Sequence, residues 1–113
     1  MITTLDLKNE LQKATEFEKH TERVKAYRSV LVSAVKYIYQ IKEIAVPEKA
    51  SLLELVDSDV ISDFVSDGDI VNSLHYVRIV GMNAEHDKKI KKTEEKLALD
   101  NITYFIGLIS AAE

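Results

Sequence analysis

Cysteine and tryptophan are absent from this chain, proline occurs once and glycine three times. Without thiols it can build no disulfide, no thiolate nucleophile and no cysteine-ligated zinc site, and a reducing, cytoplasmic setting is the expectation. So few prolines and glycines cannot supply the turns of a barrel or sandwich, nor the composition of a disordered chain. No apolar run approaches the roughly 18 residues of a membrane span, and the charged stretch from Met1 to Leu11 does not read as a signal peptide, so no membrane partner is expected. What is plentiful is helix-compatible: 46% hydrophobic and 30% charged residues in 113 positions describe a single helical domain, residues 1–113, with one core. The formal net charge of -4 gives no global attraction to nucleic acid and leaves only local patches to provide it.

Periodicity places the helices. Residues Ile2 to Ala14 are weakly periodic, with Leu5, Leu7 and Leu11, and read as a short helix packing on as an arm. From Glu16 to Ile44, Phe17, Val24, Leu31 and Ile38 fall seven apart, and His20, Tyr27, Ala34 and Ile41 form a matching set. A two-chain coiled coil gives the same spacing. However, Val30, Val32, Val35, Tyr37 and Tyr39 make the second half apolar nearly all round, which favours a central helix buried on several sides. The turn containing Pro47 ends it. Ser51 and Glu54 have capping-box spacing for a short helix from Leu52 to Val56, and a second short helix is expected near Asp59 to Val65. The last helix starts at Thr93. Its stripes are Leu97, Tyr104, Leu108 and Ala111 on one side, with Ala98, Ile102, Phe105, Ile109 and Ala112 beside them. The fold class is therefore all-α, a single bundle of four to six helices around one long central helix, and Leu31, Ala34, Val35, Ile38, Leu74, Val77, Gly81, Phe105 and Leu108 are its expected core.

Two charged segments invite functional readings. Between Glu48 and Asp69 lie seven acids and one base, Lys49. Asp57-Ser58-Asp59 opens like a calcium loop, but Ile61 and Ser62 stand where a ligand oxygen and the required glycine belong. Asp67 and Asp69 around Gly68 fit the start of a helix, where carboxylates accept orphan amide hydrogens. An acidic docking surface is the other reading. The basic run Lys88, Lys89, Lys91 and Lys92 reads as a solvated loop or as a small contact for a phosphate or an acidic partner, with no aromatic residues interleaved for base stacking.

The most specific stretch lies between them. Leu74-His75-Tyr76-Val77-Arg78-Ile79-Val80-Gly81-Met82-Asn83-Ala84-Glu85-His86 forms a helix whose narrow stripe is Ile70, Leu74, Val77, Gly81 and Ala84. A glycine inside a helix costs about 1 kcal/mol relative to alanine, so Gly81 implies a close helix approach. Beside that stripe His75, Arg78, Met82, Glu85 and His86 form a polar ridge. Arg78 can reach a carboxylate of Glu85 or of the acidic segment, and His86 can hydrogen-bond the helix end. His75 and His86 are about 16 Å apart on a continuous helix, too far to share a metal. No metal site, glycine-rich phosphate loop or cofactor motif is recognisable, so no cofactor is expected.

Leu74, His75, Arg78, Gly81, Ala84 and His86 match, in register, a motif of the small helical domain at the amino end of type I restriction endonuclease R subunits, and the chain from about Thr21 to Ile109 resembles that family. Met82 stands where the family has asparagine, with Asn83 one place later. Tyr27-Arg28 resembles an earlier family segment in which an arginine opens the long helix. The resemblance implies a non-catalytic accessory or docking module of a DNA restriction-modification enzyme, either the amino-terminal part of a larger protein or a free-standing relative. Its partners would be other domains or subunits of a restriction complex, with DNA contact indirect or weak, and His75, Arg78, Gly81, Asn83, Ala84 and His86 would be the docking motif. The alternative is a HEPN-like, metal-independent ribonuclease or toxin-antitoxin component acting as a homodimer, with Arg78 and His86 as catalytic pair. On one continuous helix those two lie about 12 Å apart along the axis, so the helix would have to end early or a second subunit complete the site.

Overall fold

A computed structural model describes residues 1–113 and contains six helices and no strand: α1 (Thr4–Thr15), α2 (His20–Ile41), α3 (Leu52–Val56), α4 (Asp59–Val65), α5 (Gly68–Glu85) and α6 (Lys92–Ala111). The longest, α2, touches all five others. Its 22 residues span about 33 Å at 1.5 Å per residue, close to the molecule's long axis of 37 Å. Val24, Tyr27, Val30, Leu31, Ala34, Val35, Tyr37, Ile38 and Tyr39 are all buried, so its second half is apolar nearly all round because it has neighbours nearly all round.

Side-chain bonds fix the directions of the four long helices. Ser33 on α2 bonds Glu10 on α1, and Gln40 bonds the backbone of Ile2, so α1 and α2 run antiparallel. Asn101 on α6 donates to the Ser73 carbonyl on α5, and Arg23 near the start of α2 pairs with Glu95 near the start of α6. Thr4 and Lys8 on α1 bond Glu113 and Ser110 at the far end of α6, and Gly81 late in α5 abuts Val24 and Arg28 early in α2, so α2 and α6 run parallel, with α1 and α5 antiparallel to both. The short α3 and α4 follow the end of α2 and pack on α5 and α2. No helix is long and apolar enough to cross a membrane.

The starts of α1, α3 and α5 follow their polar residues. Thr3 with Asp6, and Ser51 with Glu54, form complete capping boxes, and the Asp67 carboxylate accepts from the Asp69 amide at 2.8 Å. The Glu54 carboxyl is held below the usual glutamate range, first by the Ser51 amide and then by the Ser51 hydroxyl. The ends are less conventional. Glu43, Ser66 and Asp87 have φ near +57°, while all three glycines have negative φ. After α2, the Ile44 amide reaches the Tyr39 carbonyl and Glu43 that of Gln40. After α5, Lys88 and Asp87 repeat this on Asn83 and Ala84. Both are Schellman turns with an acidic residue where glycine is usual.

Three expectations need correction. The long helix spans His20–Ile41 and not Glu16 to Ile44, because a turn precedes it and the left-handed Glu43 stops it before Pro47; Phe17, Ile41 and Ile44 are exposed as a result. The first helix is no loose arm, since Leu7 and Ala14 are buried and α1 lies against both α2 and α6. On α6 the buried stripe is Ala98, Ile102, Phe105, Ile106 and Ile109, whereas Leu97 and Tyr104 face solvent and Leu108 is half-buried. The other eight expected core positions are buried.

Gly81 is where α5 comes nearest to α2. A Cβ there would lie 2.5 Å from the Arg28 Cβ and 3.1 Å from the Val24 carbonyl oxygen, neither of which can swing aside as a side-chain tip can. Gly107, inside α6, has nothing within 4 Å of the same added atom. The same substitution should therefore act in opposite directions. Gly107→Ala should raise stability in denaturant by about 0.5–1 kcal/mol through helix propensity alone. Gly81→Ala should lower it by about 1–2 kcal/mol as overpacking exceeds that gain. Glu43→Gly should stabilise by about 0.5–1 kcal/mol, because a left-handed backbone strains any side chain carrying a Cβ. A Glu43→Gly midpoint at or below that of the unaltered chain contradicts this account of the α2 terminus.

Candidate functional site

The residues of the α5 motif do different things. Gly81 and Ala84 are buried and set the α2–α5 seam. His75 and Arg78, one turn apart, point toward the α3–α4 side, where Asp57 closes the end of α3. The Arg78 Nε donates to His75 Nδ1 at 3.1 Å, and His75 Nε2 lies 2.5 Å from Asp57 Oδ1. Arginine has only donors, so Nδ1 must be the accepting nitrogen; the imidazole is then neutral, with its hydrogen on Nε2 donated to Asp57. Arg78 thus reaches the acidic segment, but through a histidine and not directly. His75 is mostly covered, its side chain 17% exposed, while Asp57 is 57% exposed.

His86 is at the far end of the same helix. Its backbone amide makes the terminal hydrogen bonds of α5, while its imidazole is exposed and bonds nothing in the chain. Arg78 and His86 are therefore not brought together within one molecule. Asn83 is half-buried and supplies through its carbonyl the acceptor for the Lys88 amide. Exposed Ile79 and Met82 flank it on the outer face of α5. Arg28 lies in the third turn of α2 and does not open that helix; its stem presses on Gly81, and its Nε is buried with no acceptor in the chain.

An arginine that the sequence did not single out holds more of the structure. Arg23 grips Glu95 through two bonds, Nε to Oε2 at 2.6 Å and Nη2 to Oε1 at 3.0 Å, while its Nη1 donates to the carbonyls of Phe17 and Glu18 at 2.8 Å. One guanidinium thereby ties the α1–α2 turn to α6. The Glu95 hydrogen bond raises the Arg23 pKa, and burial followed by the Glu95 charge raises that of neighbouring Tyr27. Tyr76 is raised in the same manner, by burial and then by Glu94. The two partners Arg23 and Glu95 are 72 residues apart, and nothing local in either segment signals the pairing.

The basic run gains company in three dimensions. Lys89, Lys91 and Lys92 line a cleft of about 370 Å³ with His20, Arg23, Ile90 and Glu95, while Lys88 is exposed outside it. The largest cleft, about 430 Å³, is elsewhere, between α1 and α6; its one charged side chain, Lys8, is bonded to Ser110. No three His, Asp or Glu side chains converge as a metal site would require. No protein-family model, curated protein or solved structure matches the chain.

The chain of bonds from Asp57 to Arg78 should be measurable as coupling. Arg78→Ala should lower stability by about 1–3 kcal/mol, and a double-mutant cycle with His75→Ala should return about 1 kcal/mol of interaction. Additive losses would mean that the His75–Arg78 bond contributes nothing.

Proposed function

We propose that this chain is a non-catalytic helical docking domain, akin to the amino-terminal module of type I restriction endonuclease R subunits, whose partners are other domains or subunits of a restriction complex. The observation that carries the reading is the division of labour along α5. The motif's inner residues, His75, Arg78, Gly81 and Ala84, hold the domain together, while Ile79, Met82 and His86, three and four residues apart on the outer ridge, remain exposed. Exposed apolar side chains beside a polar tip are the composition of a contact surface. Catalysis is disfavoured by the same geometry: Arg78 is engaged with His75, and the His86 imidazole makes no hydrogen bond with another side chain. A HEPN-like ribonuclease would need a second copy to bring His86 to an arginine.

Two measurements test this. Purified chain incubated with single-stranded RNA should leave it intact; cleavage that disappears in both Arg78→Ala and His86→Ala would replace docking with the dimeric ribonuclease. Mixed with the nuclease-motor body of an R subunit, the chain should co-sediment, and Ile79→Glu with Met82→Glu should abolish this while leaving the thermal midpoint within about 2 °C, as befits surface changes. Failure of the unaltered chain to co-sediment removes the proposal.

A further inference from the structure

The cleft between the starts of α2 and α6 is a different surface from the α5 ridge, and its chemistry is that of an anion site. Of its lining residues, Arg23 and Glu95 neutralise each other in a two-bond pair. Lys89, Lys91 and Lys92 remain, and none has a carboxylate within salt-bridge distance; the lysine and arginine ion pairs of the chain are Arg23–Glu95, Lys25–Glu22 and Lys96–Asp100. Three cations in one concavity of a chain with net charge -4 repel one another, and none of them is paired with a carboxylate.

These lysines are also held in place. Ile90, between them in sequence, is buried at 4% exposure, and the preceding Schellman turn fixes the chain from Asn83 to Lys88. The lysines consequently project from an anchored loop. His20 adds a fourth nitrogen-bearing side chain from the opposite wall. Helix starts reinforce the cations: α2 and α6, which open here, have Lys19 and Lys91 at the cap position and, like α4 elsewhere, no side-chain acceptor for their first amides, whereas α1, α3 and α5 are each capped by a side chain. Two nearby acids are otherwise engaged. Glu94 accepts the Lys91 amide and Glu22 pairs with Lys25.

We infer that this cleft binds a compact group of two or three linked phosphates, held by Lys89, Lys91 and Lys92 with amides of the α2 and α6 starts. The cleft, at about 370 Å³, has room for such a group. No aromatic side chain other than the His20 imidazole lines it, so a base would find little to stack on and the phosphates are the recognised part. The inference is independent of the docking function: the ridge and the cleft share no residue.

Isothermal titration of the purified chain with inorganic triphosphate at low ionic strength tests it. One saturable site is expected, with amide NMR shifts concentrated at His20, Thr21, Lys92 and Thr93. Changing Lys89, Lys91 and Lys92 together to Gln should weaken binding by at least about tenfold, and changing Lys36, Lys42 and Lys49 to Gln, an equal loss of charge elsewhere, by less than about twofold. Both sets are exposed side chains, and unchanged circular dichroism would verify that each variant folds. Absence of saturable binding overturns the inference, as does an equal loss in the two triple variants. A single-stranded oligonucleotide without terminal phosphate that binds as tightly, through the same lysines, also overturns it in favour of an extended backbone track.

Discussion

The spacing between α2 and α5 at Gly81 is the constraint on which the rest depends. An absent side chain lets the α5 backbone come within van der Waals reach of the Arg28 stem and the Val24 carbonyl. With the seam that close, Leu74, Val77 and Ala84 reach the same core as Leu31, Ala34 and Val35, and α2 becomes the one helix surrounded by all the others. Close packing of this kind leaves little slack, so a displacement of α5 would pass directly to the groups fixed on its other sides. These are the Asp57–His75–Arg78 chain facing α3 and α4, and the Ser73–Asn101 bond facing α6.

Much of this was legible in the sequence, for identifiable reasons. Heptad spacing with an apolar second half located α2, the capping-box pattern located α3, and an interior glycine in a strong helix announced the close approach. Element ends were harder to place. Glu43 and Asp87 occupy left-handed positions that composition assigns to glycine, so the end of α2 was read three residues late. Two parallel stripes on α6 were equally periodic, and only the position of α2 decided that Ala98, Ile102, Phe105 and Ile109 face inward while Leu97 and Tyr104 do not. Periodicity gives the existence of a face but not which neighbour covers it.

The candidate residues show the same boundary between local and non-local information. His75 and Arg78 one turn apart were visible as a ridge, and an acidic acceptor for Arg78 could be anticipated from the segment before α5. The intervening histidine, and with it the tautomer, required coordinates. Arg23 and Glu95 were invisible because neither sits in a patterned stretch and their pairing spans most of the chain. The lysine run could be seen, but a run alone is a solvated loop; the cleft exists because His20 and Arg23 arrive from a distant helix.

Helix direction explains where the lysine run stands. Because α2 and α6 are parallel, their positive amide ends meet at one pole of the molecule, next to the loop that carries Lys88, Lys89, Lys91 and Lys92. Cations at the start of a helix oppose its dipole, so this placement costs stability. The acidic residues of the chain from Glu48 to Asp69 follow the end of α2 and belong to the other pole, where Glu54 and Asp67 cap helices, Asp57 holds His75, and Asp59 and Asp63 stay exposed. At that pole the acids are partly used by the fold. At the basic pole the fold pairs Arg23 with Glu95 and Lys25 with Glu22 but leaves Lys89, Lys91 and Lys92 without a carboxylate, and a bound anion would offset their mutual repulsion.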